Sequence, residues 1–278
     1  MGDSYRLKIG DFQCLVVNDG GFVGNAHMLF ANAPEDELLQ VLQRYGHEPD
    51  HLPSTWTCLL IKTPTNVVLV DTGFGTGSEY GGQLLPLLRE EGFQPQDIDT
   101  VILTHGHADH IGGCVDGTGN VTFSEATYYM WRDEWDFWTT ETTLRESSEW
   151  AASIARQKLP PLAGQLQTLD KETEIVPGIR IIAAPGHTTG HIAVEVASRG
   201  EYLLDMVDVA LHPIQIEYPE WYSQLDQIPE QTVATRQAIY SRAAEQNALV
   251  LAFHFSPFPS LGHITKQGRR WKWQPLQR

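Results

Sequence analysis

The sequence predicts an α/β fold built in layers, and three observations carry that prediction. Residues 57–104 alternate strand, helix and strand patterns at the spacing of a layered α/β unit. The two halves of the chain share one plan, strand-rich, then helical, then strand again, which suits an internal pseudo-duplication. Several apolar strands also run straight into metal-binding side chains. Val101-Ile102-Leu103 leads to His105, Ile181-Ile182-Ala183-Ala184 to His187, and Leu249-Val250-Leu251-Ala252-Phe253 to His254. Polar side chains just past strand C-termini converge on one edge of a sheet, where a concave site forms.

Taken in order, residues 6–17 alternate and read as a strand pair broken near Gly10-Asp11, with a turn at Asn18-Asp19-Gly20-Gly21. Residues 34–45 read as a helix: Glu35 and Asp36 lie in its first turn, Leu38, Leu39 and Leu42 form its apolar face, and Gly46 ends it. The preceding Met28-Leu29-Phe30 is either a substrate-facing flap or packing under that helix. Strands are expected at 57–62 and 66–70 around Thr63-Pro64-Thr65, the second ending in Asp71-Thr72-Gly73. A helix over 83–92 and a strand over 100–104 follow, and then strands at 121–123 and 127–130 bracket a turn.

Trp131, Trp135 and Trp138 fall on one face of a helix, as core packing or as a pocket wall. Residues 141–167 read as an exposed helical insertion broken at Leu159-Pro160-Pro161. Strands return at 174–175, 179–184, 192–196 and 201–204. An amphipathic helix at 230–246 and a final buried strand at 248–253 close the pattern. No linker-like low-complexity segment divides the chain, so residues 1–278 are expected to form one domain, with a helical insertion at about 131–167.

Composition narrows the function. Of 278 residues 41% are hydrophobic and 19% charged, enough to bury a sizeable core. The 19 basic against 35 acidic residues give a formal net charge of −16, a surface that repels nucleic acid. The one basic run, Lys266, Arg269, Arg270, Lys272 and Arg278, reads as a solvated terminus. Cys14, Cys58 and Cys114 are few and widely spaced, which suits a reducing compartment rather than a disulfide framework. The N-terminus has no charged-then-apolar pattern, no apolar run reaches membrane-spanning length, and Met1-Gly2 lacks the Ser/Thr of a myristoylation site. A soluble, cytoplasmic protein without membrane or nucleic-acid partners is expected.

The chemistry is concentrated in Thr104-His105-Gly106-His107-Ala108-Asp109-His110-Ile111-Gly112-Gly113. Three imidazoles and a carboxylate within six positions suit a divalent metal such as Zn, Fe or Mn, and glycine lets the backbone turn while they converge. Surface histidine clusters and purification tags are the plain alternative, but tags are repetitive and terminal, whereas this cluster is internal and follows a buried strand. Tyr202-Leu203-Leu204 leads to Asp205 and Asp208, two further carboxylates, and Gly186-His187 is followed by His191. Gly-x-Ser-x-Gly is absent, and Gly81-Gly82 is not followed by the Gly-Lys-Ser/Thr of a phosphate loop.

His105-x-His107-x-Asp109-His110, with Asp71-Thr72-Gly73 upstream and Gly186-His187 downstream, resembles the metallo-β-lactamase-fold hydrolase superfamily. Leu29-Phe30-Ala31-Asn32-Ala33-Pro34, Val207-Asp208-Val209-Ala210-Leu211-His212-Pro213 and Ala252-Phe253-His254-Phe255 resemble its lactonase and methyl-parathion-hydrolase-like branch. The resemblance spans roughly residues 10–270 and implies a four-layer αββα sandwich with the metal site at one edge of the two sheets.

It further implies two divalent ions. His105, His107 and His187 would hold one, Asp109, His110 and His254 the other, and Asp208 would bridge them, with Asp205 as its rival because Val207 replaces a glycine frequent before the bridging residue. Donors without thiolate favour zinc, and iron or manganese suit the same set. Asp71 and His191 would support the ligands from behind. Catalysis would use a hydroxide shared by two ions about 3.5–4 Å apart. Asp109 would aid proton transfer to the leaving group, and His212 would either polarise the substrate or pack beside Pro213.

The expected substrate is a small ester, foremost a lactone. Phe30, Trp56, Trp138, Tyr222 and Phe258 are candidates for the pocket wall, and Met28 to Phe30 for a homodimer contact. Leu211 occupies the place where lactonases of the superfamily often carry Tyr. A phosphotriesterase-like or glyoxalase-II-like thioester hydrolase is the alternative, the latter without a basic cluster for a glutathione carboxylate. A mononuclear iron sulfur dioxygenase or an inert metal-binding protein ranks below these.

Overall fold

The computed structural model describes residues 3–77, 80–268 and 270–276. The first half of the chain builds one sheet from β1 (Ser4–Ile9), β2 (Phe12–Gly24), β3 (Leu52–Lys62), β4 (Val67–Val70), β5 (Thr100–Ile102), β6 (Thr127–Trp131) and β7 (Leu166–Leu169), paired in that order. The second half builds its counterpart from β8 (Thr173–Val176), β9 (Ile179–Ala183), β10 (Ile192–Ser198), β11 (Glu201–Asp205), β12 (Leu249–Leu251), β13 (Leu261–Gln267) and β14 (Arg270–Pro275). These again lie in sequence order from β8 to β14. β4 to β7 run parallel, as do β11 and β12. Among the described residues the helices are α1 (Ala26–Leu29), α2 (Glu35–Tyr45), α3 (Leu84–Glu90), α4 (Ala108–Ile111), α5 (Arg132–Thr139), α6 (Glu141–Leu144), α7 (Glu149–Lys158), α8 (Ile214–Glu217) and α9 (Pro229–Glu245).

Strand alternation explains the layers. In β2 and β3, Val16, Leu59 and Ile61 face the second sheet and meet Ile181, Val194, Val196 and Leu203. Their neighbours Leu15, Val17, Cys58 and Leu60 face the helical side, where Leu84, Leu88 and Ala155 close over them. Such strands are buried on both faces and read as continuous apolar runs. Ile239, Tyr240 and Ala243 of α9 cover the outer face of the second sheet. The result is the expected αββα sandwich.

Several local expectations change. Asn18 to Gly21 is no turn: β2 runs through it with a bulge between Asn18 and Gly20. The bulge admits the buried Asp19 carboxylate, which accepts from the amides of Phe74, Gly82 and Leu84. Val121 makes only an isolated bridge to Val115. Residues 141–167 are not an exposed insertion, since Leu144, Ala152, Ala155, Leu159 and Leu162 all enter the core of the first sheet. Small alanines there let α7 approach closely despite its polar composition.

β12 is not the last strand. The basic run at 266–278 folds into the β13–β14 hairpin, because alternating Trp271 and Trp273 give it an apolar face. Arg269 and Arg278 of that run, and Met1-Gly2, lie outside the described residues. Of the expected dimer contact Met28 to Phe30, Leu29 and Phe30 are buried within the chain against Leu211 and Trp221, and Met28 is partly buried.

Candidate metal centre

Strands of both sheets end at the shared edge and deliver the donors. β5 continues through Leu103 and Thr104 into His105, and α4 then turns Asp109 and His110 inward. The loop after β9 brings His187, the segment after β11 brings Asp208, and the one after β12 brings His254. One donor atom from each of His105, His107, His187 and Asp208 falls within 4.8 Å of the others, and the same holds for Asp109, His110 and His254. The residues that the resemblance names as ligands are thus brought together in two groups, with Asp208 in the first.

The orientation of each ring has a local cause. The outward nitrogen of His105 lies 3.2 Å from Thr104 Oγ1, that of His110 2.7 Å from Asp71 Oδ2, that of His187 3.0 Å from Asp226 Oδ1 and that of His254 3.0 Å from Ser54 Oγ. Each of these four rings therefore presents Nε2 to the centre, while His107 presents Nδ1, 3.0 Å from His105 Nε2 and 3.1 Å from His187 Nε2. A hydrogen-bonded second nitrogen fixes which nitrogen of an imidazole is free to bind a metal.

Asp208 stands between the two groups. Its Oδ2 is 3.1 Å from His254 Nε2, 3.2 Å from His187 Nε2, 3.6 Å from His110 Nε2 and 3.7 Å from His105 Nε2. Burial raises its pKa, yet His254 and His110 beside it outweigh that and hold the carboxyl well below the usual range. Burial, with neighbouring imidazoles adding to it, keeps His105 and His107 well below the ordinary imidazole value. His187 is buried too, but its bonds to Asp208 and Asp226 push it up to about 9.

A cation fits this arrangement. His110 Nε2 and Asp208 Oδ1 are buried without a hydrogen-bond partner, a costly state for polar atoms that a metal relieves. His107 Nδ1 lies about 3 Å from two other ring nitrogens and has only one proton or one lone pair to share with them, whereas all three can bind one ion. Seven nitrogen and carboxylate donors in two groups suit two divalent metal ions.

The other expected site residues divide. Asp71 lies behind His110 and also accepts from the Thr104 amide and hydroxyl. His191 accepts from the Asp208 amide at 3.2 Å, with its Nδ1 3.0 Å from the Ala184 carbonyl. Asp205 is in neither donor group: it accepts from the Val207 amide, and burial followed by Asp71 pushes its carboxyl well above the usual range. His212 is turned away, its ring between Phe30 and His47 and its Nδ1 accepting from Ile214. The same chain geometry that puts Asp208 inward sends His212 into the apolar cluster under α2.

The cleft over the donors, about 70 Å³, is lined by Phe22, Ser54, His107, Asp109, His187, Asp208, Leu211, Leu225 and His254. None of the five expected wall residues is among them. Phe30 is buried in the α1–α2 cluster, and Trp138 packs in the core with its edge on His107. Trp56 stacks on Phe74 behind Phe22. Tyr222 is tied to Asn32, and Phe258 lines a separate groove with Pro213 and Trp273. Sequence reasoning missed Phe22, Ser54 and Leu225, together with the buried carboxylates Asp226 and Glu134. Glu134 left a trace: it sits three residues after Trp131 and four before Trp138, a charge inside an apolar stripe.

Comparison with known proteins agrees with this geometry. Residues 57–203, just over half of the chain, match the Metallo-beta-lactamase superfamily. An N-acyl homoserine lactonase from Bacillus sp is 28% identical over 169 residues, 53% of this chain and 61% of that protein, so the match spans less than two thirds of its length. A probable metallo-hydrolase of Mycobacterium tuberculosis is 27% identical over 183 residues, 55% of this chain and 56% of that protein. The solved structure of AidC, a dizinc quorum-quenching lactonase in complex with a product, superposes with a TM-score of 0.89 at 25% identity, covering 99% of this chain and 98% of that one. The hydrolase AbOPH superposes with a TM-score of 0.91 at 24% identity, covering 100% of this chain and 99% of that one.

Proposed function

The chain belongs to the Metallo-beta-lactamase superfamily, and on that premise we propose that it is a dinuclear metal hydrolase that opens a lactone. The observation that carries the reading is Asp208, whose Oδ2 lies within 3.7 Å of imidazole nitrogens from both donor groups. A carboxylate so placed would be within reach of both ions. The AidC and Bacillus relatives act on homoserine lactones, which supports a lactone as the substrate class here.

In this reading His105, His107 and His187 would hold one ion, Asp109, His110 and His254 the other, and Asp208 would serve both. Zinc is the ion the donor set favours, since imidazole and carboxylate without thiolate suit it well. Two such ions supply Lewis-acid chemistry, acidifying a water and drawing charge from a carbonyl oxygen. The chain's own residues do the rest. Phe22 and Leu211 exclude bulk water from the reacting group, and the exposed Leu225 meets the apolar part of the substrate at the mouth. The narrow cleft admits only the reacting group, so the remainder of the substrate lies at the mouth. Asp109, partly exposed there, would take up the proton released by the attacking water and pass it to the leaving alkoxide.

A phosphotriester is the second reading, favoured by one observation. Leu211 places an aliphatic side chain without a hydroxyl on the cleft wall three residues after Asp208. Three buried free cysteines suit a reducing, cytoplasmic setting, and among the described residues no helix is long and apolar enough to cross a membrane.

The test is a panel of lactones, aryl esters, thioesters and phosphotriesters against zinc-, manganese- and iron-loaded protein, beside elemental analysis. The expected result is two ions per chain and lactone turnover that a chelator abolishes and zinc restores. Turnover confined to thioesters or phosphotriesters overturns the lactone reading, and a single bound iron overturns the dinuclear one.

A further inference from the structure

α5 lies against both loops that carry the first group of imidazoles, and it does so through one carboxylate. Glu134 is wholly buried. Its Oε1 accepts from the Gly106 amide at 2.8 Å and from Trp138 Nε1 at 2.6 Å. Its Oε2 accepts from Thr188 Oγ1 at 2.7 Å and from the Gly190 amide at 2.8 Å. Gly106 is the residue between His105 and His107, while Thr188 and Gly190 flank the turn that follows His187. One side chain thus spans the two loops, one oxygen to each.

The backbone packing points the same way without reference to the carboxylate. A Cβ added at Gly106 would collide with the Trp138 indole, and one added at Gly190 with the backbone and Cβ of Glu134. Both loops therefore press on α5 so closely that only glycine fits at each contact. A buried carboxylate with four donors is well compensated, but removing it leaves those donors unpaired in an apolar surround, which moves the loops rather than leaving them in place. Glu134 touches none of the donor atoms themselves. Its leverage is on their spacing.

We propose that Glu134 is a positioning residue that sets the separation of the His105–His107 loop from the His187 loop, and thereby the affinity of the ion these three imidazoles hold. The proposal builds on the dinuclear reading above, but not on the substrate. It makes the two ions unequal in one respect: Asp109, His110 and His254 have no bond to Glu134, and their ion is independent of it.

The experiment titrates metal-free protein with zinc in competition with a chromophoric chelator, which counts ions and gives each affinity without any substrate. Glu134→Gln retains the shape, but its amide nitrogen cannot accept, so one loop loses its acceptor while the other keeps it. The expected result is one ion weakened by about 10–100-fold, the usual cost of losing a supporting partner, with the other unchanged. Thr188→Val removes a single hydroxyl donor and should weaken the same ion by a smaller factor. The proposal is overturned if the folded variants bind both ions as the wild type does, or if both ions weaken equally, which is what a mere loss of stability produces. Should Glu134→Gln fail to fold, Thr188→Val decides by the same criteria. A protein that binds two ions but turns over no lactone leaves this readout intact while refuting the lactone reading.

Discussion

His187 is held from both sides by carboxylates: its Nδ1 is 3.0 Å from Asp226 Oδ1 and its Nε2 3.2 Å from Asp208 Oδ2. Only the second is at the metal centre. Asp226 is itself braced, accepting from the Ser223 amide and from the buried guanidinium of Arg236. Asp226→Asn keeps the shape but removes the charge that fixes the ring, so metal affinity should fall by about 10-fold or more with little change in fold. Competition titration against a chelator, beside the melting temperature, checks it.

Arg236 donates to the carbonyls of Val209, Pro219 and Trp221 as well as to Asp226. Truncation to Ala removes the guanidinium from the Val209 and Pro219 carbonyls and leaves Asp226 without its cation, while the Trp221 carbonyl keeps Gln215 Nε2. A loss of about 3–5 kcal/mol in unfolding free energy is expected, the scale for breaking a buried pair. Urea denaturation of the chelator-treated protein measures it, and a loss under about 1 kcal/mol contradicts this accounting.

Asp205 and Asp208 are three residues apart, yet only Asp208 reaches the donors. Asp208→Ala should lose bound metal and nearly all activity. Asp205→Ala should retain both ions. Elemental analysis after dialysis separates the two, and the reverse pattern contradicts the assignment.

The pH dependence of the metal-free protein has a definite sign. The folded-state pKa of His187 is raised to about 9 from an ordinary 6.5, so its protonated form stabilises the fold. That contribution is fully present below about pH 6.5 and is lost as pH rises through about 9. In chelator the melting temperature should therefore decline across this window, and Asp226→Asn should flatten the decline. Zinc, which competes with protons for the ring, should reverse the trend.

Leu211→Tyr introduces a hydroxyl on the cleft wall beside Asp208. If the protein opens lactones, the phenol can donate to the carbonyl oxygen as charge develops there, and kcat/KM for lactones should rise by about 10-fold, the worth of one modest hydrogen bond. Paired assays on a lactone and a phosphotriester show whether the gain is confined to the carbonyl substrate.

The donor set was legible because its signals are local. His105 to His110 lie within six positions, and each remaining donor lies within a few residues of an apolar strand that periodicity reveals, although Asp205 at the end of its strand left Asp208 with a rival. The supporting residues were not. Ser54 and His254 are 200 positions apart and Asp226 and His187 39 apart, partnerships that only the folded chain creates. The wall residues failed for a related reason. Aromatic character picked out Phe30, Trp56 and Trp138, but those large apolar rings are what the core takes first, and Phe22 reached the cleft because the bulge at Asp19 carries β2 on past its expected end.

The division of donors between the two sheets has a consequence for how the protein is made. His105, His107, Asp109 and His110 belong to the first half of the chain, while His187, Asp208 and His254 belong to the second. During synthesis the growing polypeptide cannot complete the first donor group before Asp208 has emerged, or the second before His254, and both groups need the two halves docked. A chain that has not joined both sheets in register would therefore lack a complete set for either ion.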